Sequence, residues 1–348
     1  MPRLQKPQLL KVIEQAILDS DWSLLHLSGT SEHPARYQVF KDDRSYRVKI
    51  YVWNLTHGGG AARPANEYRI QITGLPEPTG SQEFIPETGG KTLILGWWDQ
   101  IGVFAGFDYN FHKGPLGRSP SIQIRQDALE RAHINGFAPH NRGNGELAIA
   151  FRPDFITGYI ENLEALHSAG ASAAEIEVLQ ELGEDPGSVS DSEINEEIPK
   201  ERQYAIIRTK RALRESNFRD RILTAYGHRC AMCGLQLKLL DAAHILPVEH
   251  PDSNDQTCNG VCLCTLHHRA YDRGLVTFDV QFKTHLDEVQ VQDLKDAGHD
   301  GGLDEFRGML RPLLILPPGQ EGPPQRRFHN SRQYYAWMAI LTRDSVCP

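Results

Sequence analysis

The chain has 348 residues, 40 % of them hydrophobic and 24 % charged, which is room for two ordinary domains and the mix of a globular protein. It shows neither a run of about eighteen uncharged apolar residues nor a basic leader with an apolar core, so no membrane partner is expected and the cytoplasm is the predicted location. The net charge of −8 speaks against a nucleic-acid partner only until its distribution is considered: residues 171–200 hold nine acids against Lys200, and the remainder is balanced.

Residues 8–18 (QLLKVIEQAIL) space apolar side chains as an amphipathic helix. Seven β-rich runs follow, RYQVF, YRVKIYVW, EYRIQIT, KTLILGWW, IGVFAGF, SIQIR and ELAIAF, divided by Gly, Pro and Asn clusters such as HGGG at 57–60. Helices are predicted near 126–134 and 153–167, with Pro153 suited to a first turn. Residues 1–167 therefore read as an α+β domain with a mostly antiparallel sheet. Residues 168–200, rich in Ala, Ser, Gly and Glu, read as an acidic linker.

A second domain is predicted over 201–348, with its core at 215–280, a Pro-rich extension and a last helix near 331–342. Its opening stretch, 201–229, carries eight Lys/Arg and three acids. Local basic charge of this kind suits phosphate binding, and a solvated helix face fits it equally. Arg208, Lys210, Arg211 and Arg214 are the candidates for flanking phosphates.

Cys230-Ala-Met-Cys233-Gly234 is a knuckle in which two thiolates on a tight turn face one metal. Thirty residues on, Cys264-Thr-Leu-His267 repeats the spacing. Four N/S ligands in two such pairs predict a closed structural zinc site, and six cysteines in a cytosolic chain favour metal over disulfides. Cys258 and Cys262 form no such pair, and Cys347 lies at the terminus. Between the knuckles stands DAAHILP, with His244 on a strand. Asn259 follows, then His268, then Asp272 one helical turn later on the same face. A His–Asp pair offers nitrogen and oxygen to one ion, which suits a catalytic divalent metal better than a closed zinc site.

The run FRDRILTAYGHRCAMCG…DAAHILP…NGVCLCTLHHRAYDRGL resembles the HNH (ββα-metal) nucleases, in particular their zinc-stabilised, McrA-like restriction branch, over about residues 215–280. The resemblance implies a phosphodiester hydrolase acting on double-stranded DNA. In it His244 is the general base and Asn259 holds the loop that orients it. His268 and Asp272 bind one Mg²⁺ or Mn²⁺, with Co²⁺ or Ni²⁺ as alternatives. The chain departs from the family where an acid or His often precedes the base: Ala243 stands there. Asp241, the nearest acid, faces the other side of the strand from His244, which suits a supporting role. Arg269 and Arg273 beside the site are candidates for the scissile phosphate.

An HNH module alone cuts with little selectivity, so residues 1–167 are expected to choose the target, modified DNA being one option. Trp97, Trp98, Tyr109, His112 and Arg118, in a stretch of aromatics beside basic loops, are candidates for holding an extruded base. The alternative for most of these aromatics is a sheet core. Double-strand cutting implies a homodimer. The competing readings of the chain are a nuclease of a mobile element or toxin, and a zinc-held DNA-binding protein whose nuclease residues are vestigial.

Overall fold

The computed structural model describes residues 3–317 apart from 59–63, 65, 78–79, 249, 251–252 and 280. The helix near 331–342 and Cys347 lie outside the described residues. The chain divides into two compact units, Met1–Ser216 and Asn217–Pro348.

The first unit begins with α1 (Lys6–Asp19), whose predicted apolar stripe buries Leu9, Leu10, Ile13, Ala16 and Ile17. There follow β1 (Ser23–His26), β2 (Ala35–Lys41), β3 (Arg44–Asn54), β4 (Thr56–His57), β5 (Glu67–Gln71), β6 (Lys91–Trp98) and β7 (Val103–Phe107). Next come α2 (Tyr109–His112), β8 (Ser121–Arg125), α3 (Gln126–Asn135), β9 (Phe137–Asn141), β10 (Leu147–Phe151) and α4 (Ile156–Ser168). A seven-stranded sheet has the order β1-β2-β3-β6-β7-β10-β9, antiparallel except for the parallel pair β3–β6, and a three-stranded sheet has the order β4-β5-β8. The mixed α+β class with an antiparallel-rich sheet stands as expected.

Side chains alternate across the large sheet. Val48, Ile50, Leu93, Leu95, Trp97 and Ile149 join one core with α1 and α4. Tyr51, Ile94, Trp98, Ala105 and Ala150 join a second with β5, β8 and α3. Both faces being covered, the central strands read as continuous apolar runs rather than alternating ones. Gly106 is required where α4 crosses β7: a Cβ there would lie 2.1 Å from the Tyr159 hydroxyl.

The segment expected as a linker is structured. It forms α5 (Ala173–Glu184) and α6 (Asp191–Glu197), which bury Ile176, Val178, Leu179, Leu182 and Ile194 in the α1/α4 core. Most of its acids sit on the opposite faces, Glu175 is buried against Arg202, and Ser190 closes a capping box with Glu193. The first unit thus runs past residue 167 to Ser216, and its last helix, α7 (Lys200–Ala225), crosses the boundary between units.

The second unit contains the hairpin of β11 (Leu240–His244) and β12 (Gly260–Cys264), then α8 (Thr265–Asp272). A second hairpin joins β13 (Val276–Phe278) to β14 (Thr284–Leu286), and α9 (Glu288–Asp296) and α10 (Leu303–Met309) complete the described part. Phe218 and Ile222 from the end of α7 pack into this unit's core.

Candidate metal centre and nuclease site

The knuckle folds as its sequence requires. Gly234 takes φ +82°, its N–H donates to the Cys230 carbonyl, and the Cys230 N–H donates to Leu235. The extension pins the knuckle from the other side, with Ile315 N–H on the Ala231 carbonyl and Arg311 N–H on that of Met232. Cys264 ends β12 and caps α8, so that His267 enters from the helix's first turn. The ligand atoms of Cys230, Cys233, Cys264 and His267 all lie within 4.8 Å of one another. His267 Nδ1 is 3.1 Å from Cys264 Sγ and 3.6 Å from Cys230 Sγ, and Cys233 Sγ is 3.9 Å from Cys264 Sγ.

This donor set fits zinc on two counts. Hydrogen bonding from Cys264 pulls the Cys230 thiol down to about 3, while that same contact pushes Cys264 far up and burial raises Cys233. Three thiols so crowded favour a thiolate, which a cation stabilises. The Nδ1 edge of the fully buried His267 faces the sulfurs, and its Nε2 has no partner among the described residues. Cys262 is buried on β12 outside the cluster, and Cys258 lies on the turn before that strand.

His268, one residue on, faces elsewhere. Its Nδ1 lies 3.4 Å from an Asp241 oxygen and its Nε2 3.5 Å from one of Asp272. The i, i+4 pair forms as the helix spacing predicts. Asp241 also approaches His268, across the strand–helix packing, and Arg219 stands 4.0 Å from its carboxylate while donating to the Leu240 carbonyl. The two carboxylates address different ring nitrogens. A carboxylate on Nδ1–H is what orients a metal-bound histidine and frees Nε2 for the ion. A divalent ion therefore fits at His268 Nε2 and Asp272, with Asp241 supporting the ring.

His244 ends β11 opposite Gly260. A Cβ on Gly260 would lie 2.2 Å from Ile222, so the glycine lets α7 approach the hairpin. Phe218 then stacks on the His244 ring, centroids 3.9 Å apart. His244 Nε2 is 3.1 Å from Asp255 Oδ1, and Arg221 donates to the Asp255 carbonyl. Asn259, buried, accepts from Leu246 N–H at 2.8 Å and donates to the Asn254 carbonyl at 2.8 Å, tying down the loop that leaves His244. Phe218, Arg219 and Asp255 were not singled out from the sequence. The first two lie in FRDR, one helix away from the motif, and Asp255 sits in a polar loop without a spacing signal.

Residues 230–279 match the family model described as HNH endonuclease, and residues 46–160 match that described as Methylase-associated X1. The second unit carries an HNH endonuclease domain. None of the curated proteins matches the chain. Among solved structures, one described as "Modification dependent TagI restriction endonuclease" aligns over 77 % of this chain and 75 % of its own at 12 % identity, with a TM-score of 0.25, too low to bear on fold or function.

Away from the HNH site, several expected contacts take other forms. Lys210 is paired with Asp191, and Arg208 reaches Glu161 and Asn162. Arg211 and Arg214 are exposed on the same helix, where their charges also act on Asp191. The basic stretch is thus largely answered by the acids before it. Arg269 and Arg273 are exposed on α8 and at its end. Trp97 and Trp98 are buried in different cores, their indole N–H groups held by Asp99 and Gln100, so they present no joint aromatic surface. Tyr109 packs against the second core, and His112 binds the buried Glu146 beside Arg142. Arg118 is exposed. No described helix is long and apolar enough to cross a membrane.

Proposed function

We propose that the protein is a metal-dependent DNA endonuclease of restriction type, cytoplasmic, whose first unit selects the target, with modified DNA as the preferred class. The observation that carries the catalytic part is the division of the His268 ring between Asp241 on Nδ1 and Asp272 on Nε2, within the HNH match and one residue from the thiol cluster. The description of residues 46–160 as methylase-associated supports a link to DNA modification.

In this reading His244 takes the proton from the attacking water, and Asp255 and Phe218 hold its ring; the Asp255 carboxylate then stabilises the imidazolium. Asn259 keeps the following loop in place so that the ring does not swing. Mg²⁺ or Mn²⁺ held by His268 and Asp272 would supply Lewis acidity to the phosphate. Arg269 and Arg273, exposed on α8 and at its end, would contact the strand near the cut and add salt-dependent affinity without sequence preference. Zinc at Cys230, Cys233, Cys264 and His267 holds the fold. Cutting both strands calls for two such sites, hence a homodimer on DNA.

The test is incubation of purified protein with Mg²⁺, Mn²⁺, Co²⁺ or Ni²⁺ and unmodified or cytosine-modified plasmid. Cuts that His244→Ala lacks are expected with at least one metal. Absence of any such cut would leave a zinc-held DNA-binding protein. Equal cutting of all substrates would remove the modified-DNA part alone.

A further inference from the structure

The first unit contains a cavity of about 280 Å³ that lies apart from the aromatic stretch singled out in the sequence. Its wall is the start of α1, the end of β3 and the strands β4 and β5. Trp53 lines it as a buried indole beneath the Lys6 amine, Thr56 and Thr73 provide hydroxyls, Gln71 provides an amide whose nitrogen is held by Ser119 and Pro120, and Arg3 and Lys6 provide nitrogen donors. The segment that closes it is fixed: Asn54 accepts from the Leu4 N–H at 3.0 Å and donates to the Leu4 carbonyl at 2.9 Å. Lys6 lies over the Trp53 ring at 4.2 Å and contacts His33 at 3.2 Å. The site is therefore formed in advance, as small-molecule sites usually are.

We infer that this cavity receives a single nucleobase extruded from duplex DNA and is where the first unit senses a base modification. The inference rests on the proposed targeting of modified DNA. Size favours it: the volume falls just below the ~300–1,000 Å³ of sites for drug-sized ligands, which suits one planar ring. Lining favours it as well, because the hydroxyl and amide groups beside the Trp53 indole match the polar edge of a heterocycle. Burial lowers the Lys6 amine to about 7, so the part of the cavity around Lys6 is only weakly cationic and suits a neutral base, and the exposed Arg3 guanidinium is the cation of the lining. Phosphate contacts fall to Arg3 and to residues outside the cavity. Arg69, two residues before Gln71 and therefore on the same face of β5, is one such group, opposite Thr56 and Gln123 in register.

The experiment uses the full-length chain without added divalent metal, so that no cutting intervenes. It is titrated with short duplexes that carry one 5-methylcytosine, one 5-hydroxymethylcytosine or no modification, with 2-aminopurine beside the test base to report extrusion. Thr73→Trp fills the cavity from an exposed position, and Gln71→Leu removes an amide; circular dichroism checks that both remain folded. The expected result is a preference of about tenfold or more for one modified duplex, the scale on which a pocket senses an added methyl group. Fluorescence should rise on binding, and both effects should be lost in the two variants while unmodified duplex binds as before. If the folded variants keep the preference and the fluorescence rise, the cavity is not the site, though the targeting reading survives. If the unaltered protein prefers no duplex, that reading fails and the cavity assignment with it.

Discussion

His267 is fully buried with its Nδ1 edge among three thiols, whereas His268 keeps a side chain 27 % exposed between two carboxylates. Adjacent residues on a starting helix point about a quarter turn apart or more, so one sequence step moves from a closed set of soft ligands to an open set of hard ones. The closed set has its four ligand positions filled by protein, the pattern of a structural zinc site. At the open set only one ring nitrogen and one carboxylate face the proposed ion, which leaves room for water and phosphate. In the proposed division, what separates the structural from the catalytic site is the number of protein ligands and their exposure, with residue type following from that.

Breaking the closed set should have the largest effect. Cys233→Ser is expected to lose bound zinc and unfold the second unit, since structural zinc contributes about 10–16 kcal/mol to comparable small folds; metal analysis and thermal melting check this. Changing the open set should leave the fold intact and remove the chemistry. His244→Ala and His268→Ala are each expected to lower cleavage by about 10²-fold or more with an unchanged melting temperature. Within the open set, Asp272→Asn should raise the Mg²⁺ or Mn²⁺ concentration needed for half-maximal cleavage more than Asp241→Asn does. Equal shifts would place Asp241 on the ion itself. Asn259→Ala removes the ties of the loop after His244 and should affect both stability and rate: its lost bonds should cost about 1–3 kcal/mol in denaturant melts, with a partial fall in rate. The smallest effect is expected along α7. Lys210→Ala should change duplex affinity at physiological salt less than Arg269→Ala, because Asp191 already neutralises the lysine.

Much of this was legible from local spacing. The CxxC and CxxH pairs meet because each is set on a tight turn or helix start, and His268 meets Asp272 because one helical turn separates them. Five strands of the large sheet, β2, β3, β6, β7 and β10, were visible as apolar runs because the sheet is covered on both faces, whereas the short and largely exposed edge strand β1 was not. β9 was not, because Pro139 interrupts its pattern, which an edge strand tolerates. The acidic segment was misread because charge dominates its composition. Ile176, Leu179 and Leu182 and the Ser190–Glu193 box were the signals of buried, capped helices. Asp255 and Phe218 reach His244 from elements that no local pattern connects to it, and Trp97 and Trp98, for most of whose stretch a sheet core was the favoured reading, fall by alternation into separate cores.

The central claim is the division of labour between His267 and His268, and one paired measurement tests it most directly. Zinc content, melting temperature and cleavage are determined side by side for Cys233→Ser and His268→Ala in the full-length protein. The first variant is predicted to lose zinc and stability together. The second should retain one zinc per chain, melt like the unaltered protein and cut no DNA with any of the four metals. Equal zinc loss in both variants, or full cleavage by His268→Ala, would contradict it.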